Sequence, residues 1–128
     1  MKRLCLKRNM DEIELNSLFW HLWDLEAPTE KNCRVRSGDY IRIFVKGGDG
    51  KIIYVLDGTI DCVEDRNYCS KREVLLFLGS IPNRNQSYLD KSPEIGRFFA
   101  VRGTNWVKQD ISMDWSGNPN KTWHIENV

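Results

Sequence analysis

The sequence predicts an α+β domain: a mainly antiparallel sheet of five to seven strands, curled into a small half-barrel, with one N-terminal α-helix. Three observations lead there. Residues 37–61, SGDYIRIFVKGGDGKIIYVLDGTID, spell a β-hairpin, with two runs of Ile, Val, Tyr and Phe flanking Gly47-Gly48-Asp49-Gly50. Further short apolar runs follow it, separated by turn formers. Ahead of it, residues 9–26 carry helical periodicity and a helix start signal.

Residues 2–7 alternate, Leu4 and Leu6 against Arg3, Cys5 and Lys7, which predicts a first strand. Asn9 and Glu12 then stand at capping-box spacing, and Asp11, Glu12 and Glu14 suit the positive end of a helix dipole. The helix is expected to run to about Glu26, because Pro28 disfavours helical geometry at Ala27. The hairpin strands are expected at 34–46 and 51–61, a polar loop at 64–70 and a core strand at 71–79. Residues 81–93 hold two prolines and read as a surface loop. A strand is expected at 96–102, returning as 106–111 across Gly103-Thr104-Asn105. A turn at 116–120 (SGNPN) then precedes a closing strand at 122–125. No repeat or linker divides the chain, so residues 1–128 read as a single domain.

Composition narrows the function classes. The chain of 128 residues has 19 basic and 18 acidic side chains, a net charge of +1, which disfavours a dedicated non-specific DNA binder. No apolar run approaches the ~18 residues of a membrane span, and the basic start lacks a signal peptide's apolar region. Cys5, Cys33, Cys62 and Cys69 are therefore expected as free thiols in the cytoplasm, with no membrane partner.

Two surfaces are candidate binding elements. On the expected helix, Leu15, Leu18, Leu22 and Leu25 share the core face, and Ile13, Trp20 and Trp23 lie on a flank. That flank is either sunk into a curved sheet or a platform for a protein partner. On the hairpin, Ile41, Ile43 and Val45 share one face with Ile52, Tyr54 and Leu56, while Tyr40, Arg42 and Phe44 share the other with Ile53 and Val55. The second set either is buried on a two-sided sheet or forms a nucleic-acid face, where rings stack bases and Arg42 holds phosphate.

Catalytic and metal motifs fall short. Gly47 to Lys51 imitates the end of a phosphate-binding loop, but Ile52 stands where a hydroxyl is needed and no helix follows. The stretch IIYVLDGTI resembles the signature of haloacid-dehalogenase-like phosphatases, yet Val55 occupies the nucleophile's place. Cys62 and Cys69 are too widely spaced for a structural zinc pair with His21 and His124, and Asp61, Glu64 and Asp65 do not match a calcium loop. Neither histidine accompanies a nucleophile signature. No catalytic residue, metal or cofactor is expected.

Residues 34–61, with Gly38-Asp39 ahead of a hydrophobic strand, a glycine turn and a returning strand, resemble the core of PUA-like domains, nearest to the ASCH and EVE branches. The resemblance implies a small curled barrel that reads RNA or modified bases, and it assigns no site residue. The expectation is a small cytosolic, non-catalytic binding domain acting through a protein partner, as an inhibitor, immunity or host-interaction factor. The alternative is a PUA-like reader of nucleic acid or a nucleotide.

Overall fold

A computed structural model of the chain describes residues 1–10, 13, 20–23, 35–70, 95–110 and 113–128, with backbone placement alone for 20–23, 64–70 and 95–100. Six strands are defined: β1 (Lys2–Asn9), β2 (Trp20–Trp23), β3 (Tyr40–Lys46), β4 (Ile52–Ser70), β5 (Ile95–Gln109) and β6 (Trp123–Asn127). They form one sheet in the order β2-β5-β4-β3-β1-β6.

The hairpin forms as the sequence dictates. Gly50 takes φ +82°, a conformation that a Cβ opposes, and Gly47 donates to the Lys51 carbonyl at 2.9 Å. Asp49 Oδ1 accepts from the Lys51 amide at 3.0 Å. Gly38 supplies a second positive φ, and Asp39 then accepts from the Arg36 and Lys2 amides, fastening β3's entry to β1. Alternation in β1 also holds, with Leu4 and Leu6 buried on one face.

Several expectations are corrected. Among the described residues the domain is one mixed sheet in place of the expected α+β arrangement: β1 runs parallel to β3 and antiparallel to β6. Trp20–Trp23, in the middle of the expected N-terminal helix, is a strand paired antiparallel with β5, Trp20 opposite Val101 and Trp23 opposite Phe98. Local capping and periodicity lose there to tertiary pairing, which suits the high strand propensity of tryptophan. The expected polar loop at 64–70 is the second half of the 19-residue β4, which pairs with β5 from Val55 to Ser70. The expected return at Gly103-Thr104-Asn105 is a kink inside β5; Asn105 adopts φ +56° beside register shifts in the β4–β5 ladder, as at a bulge. The expected strand at 71–79 and loop at 81–93 lie outside the described residues.

Both faces of the sheet are apolar at the centre. The larger core gathers Leu4, Leu6, Val35, Ile41, Ile43, Val45, Leu56, Ile60 and Val101, with Tyr54, Trp106, Trp123 and Ile125 packed against it. Burying each of the larger side chains stabilises the fold by about 1.5–3 kcal/mol. The opposite face holds Cys5, Phe44 and Val55 under Ile52, Met113 and Trp115. Ile52 was expected with Ile41; the register shift between Val45 and Lys46 moves it to the second face.

Candidate functional site

The second face carries polar groups around its small apolar centre because of strand register. Cys5 lies opposite His124 on β6 and Arg42 on β3, and Arg42 lies opposite Asp57 on β4. One row further, Arg3 lies between Glu126 and Tyr40. The chemistry is spread over four adjacent strands.

Arg42 closes a two-pronged ion pair on Asp57, Nε to Oδ1 at 2.6 Å and Nη2 to Oδ2 at 3.0 Å, and its Nη1 lies 3.2 Å from Met113 Sδ. That bond chiefly holds the guanidinium even more firmly charged than usual. Arg3 donates to Glu126 Oε1 at 3.0 Å and approaches the Tyr40 ring, 5.9 Å from its centroid. Between these pairs lies a concavity of about 190 Å³ lined by Arg3, Tyr40, Ile41, Asp57 and Gly58.

Beside it stand Cys5, His124 and Glu126, whose donor atoms all lie within 4.8 Å of one another. Cys5 is wholly buried, and its thiol is pushed up to about 12, first by burial and then by the neighbouring Glu126 carboxylate. Burial works against the Glu126 charge too, but bonding to Arg3 and the charges of Arg3 and His124 win, holding its carboxyl below the ordinary range. His124 Nε2 lies 3.1 Å from Ser116 Oγ and 3.8 Å from Glu126 Oε2, while Nδ1 is buried without a hydrogen-bond partner.

The segment 113–120 covers this corner. Trp115 meets Phe44 edge-on at 5.2 Å and His124 at 4.9 Å, and its indole donates to the Asn118 carbonyl at 3.0 Å. Lys7 lies over the same ring and donates to the Pro119 carbonyl at 3.1 Å. Gly117 permits the close cover, since a Cβ there would stand 2.8 Å from His124 Nδ1 and 3.0 Å from Trp115.

The residues singled out in the sequence are distributed unevenly over this surface. Of the candidate nucleic-acid face, Tyr40 is 36% exposed, Arg42 is engaged with Asp57, and Phe44 is buried under Trp115. Of the candidate partner platform, Ile13 is half-buried against the larger core. Trp20 and Trp23 belong to β2, and their side chains lie outside the described residues. Positions three apart share a flank on a helix but alternate on a strand, so the premise of one shared platform goes with the helix. Cys62 and Cys69 sit on one strand, about 20 Å apart at the usual rise, too far to bridge each other.

Sequence reasoning missed the grouping of Cys5, His124 and Glu126, which only the pairing of β1 with β6 creates. The available signal was His124-x-Glu126, two donors on one face of a strand, and Cys5 on the polar side of β1. By fold, the described residues build one mixed sheet of strands with a polar, aromatic-covered second face. No family model, curated protein or solved structure matches it. Among the described residues, no helix is long and apolar enough to cross a membrane.

Proposed function

We propose that this chain is a non-catalytic binding domain that acts through a protein partner. The observation that carries the reading is the Arg3–Tyr40–Asp57 concavity. At about 190 Å³ it is smaller than the ~300–1,000 Å³ typical of small-molecule sites, and it suits one anchoring side chain of a partner. A half-open tyrosine beside an arginine matches the residue types enriched at protein interfaces. Arg42 is committed to Asp57 and Phe44 is buried, so this face has little to offer a phosphate backbone or a stacked base. Cys5, buried and held protonated, is no nucleophile. The proposal includes a cytoplasmic location, where Cys5 and Cys62 persist as free thiols.

The test is parallel capture from lysate and on immobilised oligonucleotides, at low and moderate salt, with the wild-type chain and with Tyr40→Ala. Salt-resistant retention of one protein, lost in Tyr40→Ala at an unchanged melting temperature, is the expected result. Salt-sensitive retention on oligonucleotides alone would replace this reading with that of a nucleic-acid reader.

A further inference from the structure

We propose that Cys5, His124 and Glu126 form a site for a divalent transition ion of the zinc class, placed where the first strand of the sheet meets the last.

The donor set is the first argument. A sulfur, an imidazole nitrogen and a carboxylate oxygen are the ligands zinc takes, whereas calcium and magnesium want oxygen alone. A thiolate and a carboxylate also balance the two charges of the ion, so the site is neutral when filled.

Placement is the second. Cys5 and His124 are cross-strand partners, and Glu126 follows two positions along β6 on the same face. Three donors on neighbouring Cβ positions of a paired sheet are held more rigidly than donors on loops. Their present separations, up to 4.8 Å, must close to the roughly 3.3–3.8 Å between donors in a tetrahedral site with bonds of 2.0–2.3 Å. Side-chain rotation supplies a shift of about 1 Å without moving the backbone.

The third is the surrounding shell. Arg3 holds Glu126 by Oε1, leaving Oε2 turned towards His124 at 3.8 Å, the arrangement by which an outer partner orients a carboxylate ligand. His124 Nδ1, buried and unbonded, lies on the other side of the ring beside Gly117. Nε2, which faces Glu126, is the nitrogen placed to bind the ion, and it exchanges its contact with Ser116 Oγ for the metal bond. Trp115 packs edge-on against the ring and Gly117 lies close to it, so the imidazole is held in place on that side.

Filling the site exchanges one cation for another. The Cys5 S–H bond breaks, its proton passes to solvent, and the sulfur lone pair forms the bond to the metal, with no change of oxidation state. Binding therefore requires a metal acidic enough to ionise a buried thiol, which selects zinc or cobalt over alkaline-earth ions.

The experiment is titration of the chelator-treated, reduced chain with zinc alone and separately with cobalt(II), following stoichiometry with a chromophoric competitor and the melting temperature. One equivalent of zinc is expected, with a raised melting temperature, and cobalt should give a thiolate-to-metal charge-transfer band. His124→Gln and Glu126→Gln, both at partly exposed positions, should each weaken zinc by at least about tenfold, and Cys5→Ala should remove the cobalt band. Circular dichroism confirms that each variant is folded, and the two partly exposed positions carry the test if Cys5→Ala is not. Failure to take up an equivalent of either ion overturns the proposal. So does uptake with full affinity in both His124→Gln and Glu126→Gln, which would place the metal on other cysteines. Neither result bears on the partner surface, whose test depends on Tyr40.

Discussion

Replacing Gly103 with alanine puts a methyl group where the indole of Trp106 already lies. The new Cβ would overlap Cζ2 and stand 2.9 Å from Cη2 and 3.0 Å from Cε2 of that ring, against an ordinary carbon–carbon contact of about 3.5–4.0 Å. The ring must withdraw by more than about 1 Å. The same ring also rests on Gly58, whose hypothetical Cβ would meet Cε3 at 2.9 Å. Two glycines on neighbouring strands thus make a floor for one flat side chain packed against the larger core. Overpacking of this kind costs about 1–3 kcal/mol, and partial expulsion of the ring adds lost burial, so about 2–3 kcal/mol is expected. For a chain of this length that lowers the melting temperature by roughly 10 °C. Urea unfolding followed by circular dichroism measures the loss directly. Trp106→Leu should cost stability in the wild type yet less, or nothing, in the Gly103→Ala background, giving a coupling of about 1 kcal/mol or more. Stability of Gly103→Ala within about 0.5 kcal/mol of the wild type would refute the packing argument.

Removing Arg42 as Arg42→Met leaves Asp57 half-buried without its partner and should cost about 1–3 kcal/mol, whereas Arg42→Met with Asp57→Leu should cost less than the single change; denaturant midpoints decide. In metal-free protein the Cys5 thiol titrates later in the folded chain than in the unfolded one. Its contribution is complete below the ordinary value of 9 and is lost as pH rises towards about 12, at about 1.4 kcal/mol per unit. Stability between pH 8 and 10.5 should therefore fall more steeply in the wild type than in Cys5→Ala, and equal slopes would contradict the burial of that thiol. Gly50→Ala, at φ +82°, should cost about 1 kcal/mol by thermal melting, because the hairpin turn then holds a side chain in a left-handed conformation.

How far the sequence foretells this structure depends on whether the relevant information is local. The hairpin is written in adjacent residues, and the alternation of Leu4 and Leu6 against Arg3, Cys5 and Lys7 needs only its own strand. Trp20 to Trp23 escapes such a reading because capping residues and spacing report what a segment does alone, while its partner Phe98 to Val101 lies far along the chain. The second half of β4 failed for the same reason: EDRNYCS has a loop's composition, and only pairing with β5 makes it a strand. A bulge hid inside a turn signal, since Gly103-Thr104-Asn105 has a reversal's chemistry but bends the strand without ending it. The candidate site is the extreme case. Each of its donors is visible, yet their meeting depends on the antiparallel pairing of β1 with β6.

That placement of β1 also orders the folding reaction. The first strand of the sheet must wait, since its neighbour β3 follows after a long connection and β6 is the last strand formed. Arg3 and Glu126, bonded to each other, are separated by 123 positions, and the Val128 amide reaches the Met1 carbonyl at 2.9 Å. Contacts of such sequence separation are costly to close and form late. Until β6 arrives, β1 presents an unpaired edge backed by Leu4 and Leu6, a template for pairing with another chain. Cutting the chain before Trp123 should therefore yield a species that associates edge to edge and not merely a less stable monomer. The same seam is the last to close and, by the reverse path, an early one to open, so an ion bound by Cys5, His124 and Glu126 would act chiefly on the lifetime of the closed sheet.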